Sequence, residues 1–280
     1  WNSAVTPDGY GPQRQLEWVR QGHRISPWFS MPLPTQTVPL SHYEDALREY
    51  RARKLPVTFI STQWEYLLSE QPFLRIRDDS NPNVLGTRAA NEKRLSPFGS
   101  EEYWYETGKR WTGRDLFRQL AAIYPDPPKV VFLSNNEHPV LGWNELQRDR
   151  RFAKRYSGNL SDEQKREITA KLWEKLYQSL HKGMRDGLAD TPWKDKIKLV
   201  GFLANGNMNM GRDSGWPLER VFTRERIDPY ARFWDGSSFD IYYNSEETLL
   251  RASPLRAMNS VFMVEENRRL RRDYLTELSI

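Results

Sequence analysis

A chain of 280 residues is long enough to bury a substantial core without covalent staples, and one large domain is the default; the absence of cysteine removes disulfide frameworks, thiolate metal sites and cysteine nucleophiles together. The balance of 42 basic against 37 acidic side chains leaves a formal +5, too mild an excess for nucleic acid to be the expected partner. No run of about 18 apolar residues occurs, so no helix is expected to cross a membrane.

Along the chain, short β-branched or aromatic runs alternate with helical patterns, the signature of βα units and a parallel sheet. His23–Met31 (HRISPWFSM) reads as a strand, His42–Lys54 as a helix and Pro56–Gln63 (PVTFISTQ) as the next strand. The turn-rich stretch Ser69–Gly113 reads as a long loop insertion leading into a helix over Arg114–Tyr124, whose Leu116, Phe117, Leu120 and Ile123 share one face. Pro125-Asp126-Pro127-Pro128 stops that helix, and Lys129–Asn135 (KVVFLSN) is a continuous apolar strand, as expected when both faces are buried. Ser161-x-x-Gln164 opens the longest helix as a capping box. Its Ile168, Leu172, Leu176, Leu180, Met184 and Leu188 recur every fourth residue as an apolar stripe, and Pro192 follows its end. Ile197–Ala204 (IKLVGFLA) and Ser238–Asn244 (SFDIYYN) are further strands, Ser253–Asp273 a helix with a basic outer face, and Tyr274–Ile280 (YLTELSI) a last strand.

Six strands result, whereas a closed (β/α)8 TIM barrel needs eight. The expected fold is such a barrel, with strand 1 before Trp1 and strand 8 after Ile280 or with shorter strands unrecognised. It forms a single catalytic domain over 1–280 with an insertion at about 69–113. The start at Trp1 without a Met, and the stop at Ile280 within a strand, suit a segment of a longer protein.

Parallel α/β barrels carry catalytic groups at the C-terminal ends of their strands. Two carboxylates fit: Glu137, reached from Val130–Leu133 through Ser134-Asn135-Asn136, and Glu277, after Tyr274-Leu275-Thr276. Strand alternation gives Val131, Leu133, Asn135 and Glu137 one parity, and Leu275, Glu277 and Ser279 a common face. Both carboxylates are therefore expected at the barrel mouth. A retaining glycosidase needs such a pair roughly 5 Å apart, one protonated and one ionised.

Asn136-Glu137 after a hydrophobic strand, the Tyr-bearing strand Phe239-Asp240-Ile241-Tyr242-Tyr243-Asn244, and Thr276-Glu277-Leu278 after a later strand together resemble the clan-A retaining glycoside hydrolases. The resemblance implies Glu137 as acid/base, Asn136 as a contact to the sugar 2-hydroxyl, Glu277 as nucleophile, and Tyr242 or Tyr243 as the group that orients it. It also implies strand numbers: with Lys129–Asn135 as the fourth strand, Ile197–Ala204 is the fifth, Ser238–Asn244 the sixth and Tyr274–Ile280 the seventh. The clan's Arg near the end of the second strand has no counterpart in Trp28-Phe29-Ser30-Met31.

Around this pair, His138 either contacts substrate or is structural. Trp64, just beyond the strand Pro56–Gln63, Trp143, in the loop after Glu137, and Trp28, near the end of the strand His23–Met31, either line sugar subsites or anchor loops. Asn205, Asn207 and Asn209 hydrogen-bond hydroxyls or build turns. Asp79-x-Asn81-x-Asn83 opens like a calcium loop but lacks its later glycine and glutamate. The basic runs Arg148–Arg155 (RDRRFAKR) and Arg268–Arg272 (RRLRR) are solvated helix faces, or contacts to nucleic acid or an anionic polysaccharide. There is no phosphate-cradling glycine loop, no Gly-x-Ser-x-Gly elbow and no His-Glu-x-x-His zinc site.

The expectation is thus a retaining hydrolase of β-glycosidic bonds in a polysaccharide or oligosaccharide, with no cofactor, metal, nucleic acid or membrane partner and with its oligomeric state open. Its compartment is open too, secreted or periplasmic if the substrate is a polysaccharide. The alternatives are a non-catalytic carbohydrate-binding barrel and an interaction protein that lays its basic helices on nucleic acid.

Overall fold

The computed structural model describes residues 12–22, 27–32, 37–61, 66–68, 84–86, 92–95, 98–134, 143–147, 149–202, 234–240 and 275–279. Its elements, in chain order, begin with α1 (Pro12–Arg20), β1 (Trp28–Ser30), α2 (Ser41–Ala52) and β2 (Val57–Ser61). Three short strands follow, β3 (Tyr66–Leu68), β4 (Val84–Gly86) and β5 (Glu92–Leu95), then α3 (Glu101–Thr112), α4 (Asp115–Ile123) and β6 (Val130–Ser134). The remainder is α5 (Trp143–Leu146), α6 (Arg150–Arg155), α7 (Asp162–Asp186), β7 (Ile197–Phe202), β8 (Gly236–Asp240) and β9 (Leu275–Ser279).

The large sheet has the order β1-β2-β6-β7-β8-β9. The pairs β1·β2, β2·β6, β7·β8 and β8·β9 are parallel. Among the described residues each strand of this sheet is added beside its predecessor in chain order, with no reversal of that order. A doubly wound sheet would show such a reversal, at its switch point. The protein is an α/β protein built on a parallel sheet. The reading of the Val130–Leu133 run as a strand buried on both faces holds: Val130, Val131, Phe132 and Leu133 are all buried.

The stretch 69–113 is not a loop throughout. It contains β4 and β5, which form a small antiparallel sheet with β3 in the order β3-β5-β4, and also α3. The helix was hidden because its buried face is carried by Trp104, Thr107, Gly108, Trp111 and Thr112, a stripe in which small and polar residues break the apolar period. β5 (Glu-Lys-Arg-Leu) has no apolar alternation at all. α1 is likewise a helix that periodicity did not single out. β8 begins at Gly236, two residues before the expected Ser238, because Gly236 and Ser237 pair with Val200 and Gly201 despite their poor strand propensity. The expected helix Ser253–Asp273 lies outside the described residues.

The described residues divide into two compact units. The first holds α1, β1, α2, β2, α3 from Glu102, α4, β6, and the chain from Ser179 to Leu199. Its core is aromatic. Phe59 stacks on Phe132 at 5.4 Å and meets Phe117 edge-on at 5.2 Å, while Phe29 sits 5.3 Å from Tyr43 and 5.1 Å from Tyr50 of α2. Such ring pairs add a few tenths to about 1.5 kcal/mol each beyond the area they bury. Trp193 donates from Nε1 to the Tyr124 carbonyl at 2.7 Å, so its one polar atom is satisfied inside the core.

In the same unit α3 lies against the end of α7 with glycine at the crossing. A Cβ on Gly108 would overlap the Leu180 carbonyl oxygen, and one on Gly183 would overlap the Tyr105 carbonyl oxygen. The close approach is locked by Thr112, whose hydroxyl donates to the Met184 carbonyl at 2.6 Å. The second unit holds β3, β4, β5, α5, α6, α7 up to Gln178, and the chain from Val200 through β8 and β9. The capping box at the start of α7 is formed in both directions: Ser161 N–H donates to Gln164 Oε1 at 2.8 Å and Gln164 N–H to Ser161 Oγ at 3.2 Å.

Candidate functional site

Parallel pairing aligns the C-terminal ends of neighbouring strands. In the first unit Ser30 of β1 is in register with Ile60 of β2, and Ser61 with Ser134, the last residue of β6. In the second unit Ser238 is in register with Glu277 and Asp240 with Ser279. Glu277 is the central residue of β9. Glu137 is the third residue after the end of β6 and lies outside the described residues, as do Asn136 and His138 beside it. Tyr242 and Tyr243, the second and third residues after β8, lie outside them too, as do Trp64, Asn205, Asn207 and Asn209.

Trp28 opens β1 and is half-buried. Its backbone N–H donates to Gln15 Oε1 at 2.8 Å, and its carbonyl accepts from Gln15 Nε2 at 3.1 Å. In a parallel ladder one residue's N–H and C=O point the same way. Met31, of the opposite parity, bonds toward β2 through the Ile60 carbonyl at 2.8 Å, so the buried Gln15 amide occupies the side of β1 away from β2. A primary amide carries one donor and one acceptor in the spacing of a strand neighbour, and it satisfies groups that an edge leaves open.

The exit of β1 is held by two further groups that sequence reading passed over. Tyr43 donates from its hydroxyl to the Ser30 carbonyl at 3.5 Å, and Arg114 donates from Nη2 to the Pro32 carbonyl at 2.8 Å and from Nε to the Trp111 carbonyl at 3.0 Å. The Arg114 guanidinium also lies 5.2 Å over the Phe117 ring. Burial lowers Arg114 to about 10, against the opposing pull of Tyr43. Burial likewise pushes the Tyr43 phenol up to about 12, and Arg114 opposes that shift. At neutral pH the pair is therefore a cation and a neutral phenol, each spending donors on backbone carbonyls where the chain leaves β1. No periodicity marks such residues, because the Ser30 and Pro32 carbonyls they hold are remote in sequence.

Trp143 begins α5, in the segment that follows β6. It meets Phe152 edge-on at 4.9 Å and lies 5.9 Å from Tyr156; Phe152 is in turn 4.8 Å from Tyr156 and 5.5 Å from Phe98. Phe152 is fully buried, while Trp143, Tyr156 and Phe98 are half-buried. Asp149, fully buried, caps α6: its Oδ1 accepts from Arg151 N–H at 2.8 Å, and its carboxylate takes Arg151 Nε at 3.0 Å and Nη2 at 2.5 Å. The Arg151 guanidinium lies 5.2 Å over the Phe98 ring. The half-buried rings of Trp143, Tyr156 and Phe98 thus surround the buried Phe152 of the capped helix α6. Among the described residues no group of three His, Cys, Asp or Glu side chains is gathered to hold a metal ion.

No protein-family model matches the sequence, and no curated protein does. Among solved structures, the YdhT protein from Bacillus subtilis aligns over 98% of this chain and 77% of its own at 12% identity and a TM-score of 0.37. The B. subtilis mannanase BCman aligns at 13% identity and 0.35, and the B. subtilis mannanase man26 at 12% and 0.36, with the same shares of the two chains. Scores this low do not establish a common fold, and the functional reading rests on the chain's own residues.

Proposed function

We propose that this chain is a retaining glycoside hydrolase with a single (β/α)8-barrel catalytic domain, cleaving β-glycosidic bonds of a polysaccharide or oligosaccharide. The observation that carries the reading is β6, buried from Val130 to Leu133 within a sheet wound in chain order among the described residues, with Asn136-Glu137 two and three residues beyond its C-terminal end. In-order winding is how a barrel sheet grows, and the ends of its strands are where its chemistry lies. Glu277, on the last strand of the sheet, supplies the second carboxylate.

In this reading Glu137 protonates the glycosidic oxygen as the Glu277 carboxylate attacks the anomeric carbon, forming a covalent glycosyl ester and releasing the leaving alcohol. The Glu137 carboxylate then takes a proton from water, whose oxygen displaces Glu277 and completes hydrolysis with net retention. Asn136 contacts the sugar 2-hydroxyl and Tyr242 or Tyr243 orients Glu277. His138, Trp28, Trp64, Trp143 and Asn205 line subsites.

Glu137→Gln is expected to slow hydrolysis of substrates with poor leaving groups by about 10²–10⁴-fold, while activated aryl glycosides, which need no proton, lose far less in their first step. Glu277→Gln is expected to abolish turnover of both. Equal loss on both substrates in Glu137→Gln removes the acid role, and glycan binding without turnover in the unmodified protein leaves a carbohydrate-binding barrel.

A further inference from the structure

Ring packing decides which face of β1, β2 and β6 the helices cover. Phe29 lies against Tyr43 and Tyr50 of α2, and Phe59 lies against Phe117 of α4 and Trp193, with Phe132 stacked beside Phe59 and also edge-on to Phe117. Strand alternation then puts Trp28, Ser30, Thr58, Ile60, Val131 and Leu133 on the opposite face. They stand in two rows in register, Trp28-Thr58-Val131 and Ser30-Ile60-Leu133, the second at the C-terminal end of β1. Thr58, Val131 and Leu133 are buried, whereas Trp28, Ser30 and Ile60 are only half-buried.

Those three residues adjoin one another. Ser30 is two residues from Trp28 along β1, a rise of about 6.6 Å, and directly beside Ile60 on β2, about 4.8 Å away. Among the described residues, neither the Trp28 indole N–H nor the Ser30 hydroxyl makes a hydrogen bond, and the Trp28 ring meets no other ring. Their backbone groups, in contrast, are held at three points: Gln15 takes the Trp28 N–H and carbonyl, and Tyr43 donates to the Ser30 carbonyl. A three-residue strand fixed through its backbone, with its side chains half open, is ordered before any ligand arrives, so binding there costs little conformational entropy.

An indole beside a branched aliphatic side chain offers an apolar surface, and the open N–H and hydroxyl supply polar groups at its margin. That combination matches a sugar ring, which is apolar on its C–H face and polar around its edge. None of the six residues on this face is charged, which suits a neutral sugar over an anionic one. Leu133, at the end of the Ser30 row, stands four residues before Glu137, so covalent geometry holds their Cα atoms within about 14 Å.

We propose that Trp28, Ser30 and Ile60 form a subsite for one neutral pyranose unit of a polysaccharide, with the indole and Ile60 meeting the ring face and the Ser30 hydroxyl bonding a sugar hydroxyl. It rests on the carbohydrate reading above for its ligand class and adds Ser30 and Ile60 to the residues that hold the substrate.

Affinity electrophoresis of the whole protein in native gels tests the subsite without reading hydrolysis, with hydroxyethyl cellulose, galactomannan and arabinoxylan as neutral probes and carboxymethyl cellulose as the anionic one. At least one neutral polymer is expected to retain the parent. Ser30→Ala, which removes one hydroxyl and leaves the backbone bonds of β1 in place, is expected to weaken that retention about threefold to tenfold. Trp28→Ala is expected to weaken it more than Ser30→Ala does. Trp18→Ala, at a half-buried tryptophan of α1, is the control and is expected to keep the parent's retention. Retention unchanged in both Ser30→Ala and Trp28→Ala overturns the proposal, as does an equal loss in Trp18→Ala, retention by the carboxymethyl polymer alone, or no retention of the parent by any neutral polymer. Retention that depends on Ser30 and Trp28 without turnover of any polysaccharide keeps the subsite and removes the Glu137 chemistry. Turnover of a neutral polysaccharide with retention indifferent to both substitutions does the reverse.

Discussion

Two aromatic clusters in this chain use the same residue types under different burial. Around β2 and β6, Phe59, Phe132, Phe117 and Trp193 are sealed from solvent, and their only polar atom, Trp193 Nε1, is bonded to a backbone carbonyl. Around the buried Phe152, Trp143 and Tyr156 of the segment after β6 and Phe98 from before α3 are half-buried, with guanidinium groups over the Phe98 and Tyr156 rings. The first cluster is core mass whose worth is the area it removes from water. The second keeps part of its surface in water. Composition alone counts both as aromatic, and burial separates them.

Substitutions that break this contrast rank by how completely each site is enclosed. Phe59→Ala, within the sealed cluster, is expected to cost about 3–5 kcal/mol in denaturant unfolding through lost transfer energy and an unfilled cavity. Gly183→Ala is expected to cost about 2–3 kcal/mol, because its new methyl would overlap the Tyr105 backbone carbonyl, which cannot swing away as a side chain can. Trp143→Ala is expected to cost about 2 kcal/mol, less than Phe59→Ala although the side chain is larger, since part of the ring is already in water. A cost equal to that of Phe59→Ala would place Trp143 in the core class. Asp149→Asn keeps an acceptor for the Arg151 N–H but removes the charge opposite the guanidinium, for about 1 kcal/mol.

The last effect shows only in alkaline solution. Burial raises the Tyr43 phenol from 10.0 to about 12, so the folded state holds that proton more tightly than the unfolded chain does. Its contribution is complete below pH 10 and is lost as pH rises through about 12. Denaturant unfolding across pH should show Tyr43→Phe flattening the stability profile in that alkaline window, with a pH-independent loss of up to about 1 kcal/mol near neutrality from the bond to the Ser30 carbonyl.

Much of the frame was legible in the sequence because its signals are local. The Lys129–Asn135 run announced a strand buried on both sides, and Ser161-x-x-Gln164 announced a helix start whose two reciprocal hydrogen bonds form as expected. α3 and β5 were missed for an equally physical reason. α3 buries a face containing glycine and threonine, since a second helix backbone must come close there, and β5 pairs through backbone groups while its side chains are mostly charged. Of the expected site, Glu277 is the central residue of β9 rather than at its end, Trp28 opens β1 rather than closing it, and Trp143 begins a short helix where a loop was expected. The anchoring of β1 by Gln15, Tyr43 and Arg114 had no local signature.

By itself, then, the sequence determined the α/β alternation, the buried character of β6 and the order in which strands arrive, because hydrophobic period and turn chemistry act over a few residues. Only the tertiary structure decided which aromatic rings are sealed and which stay partly open, which glycines admit a crossing helix, and which carbonyls Arg114 and Gln15 hold. Gln15 reaches Trp28 across 13 residues and Arg114 reaches Pro32 across 82, and no short-range pattern encodes a partner at that distance.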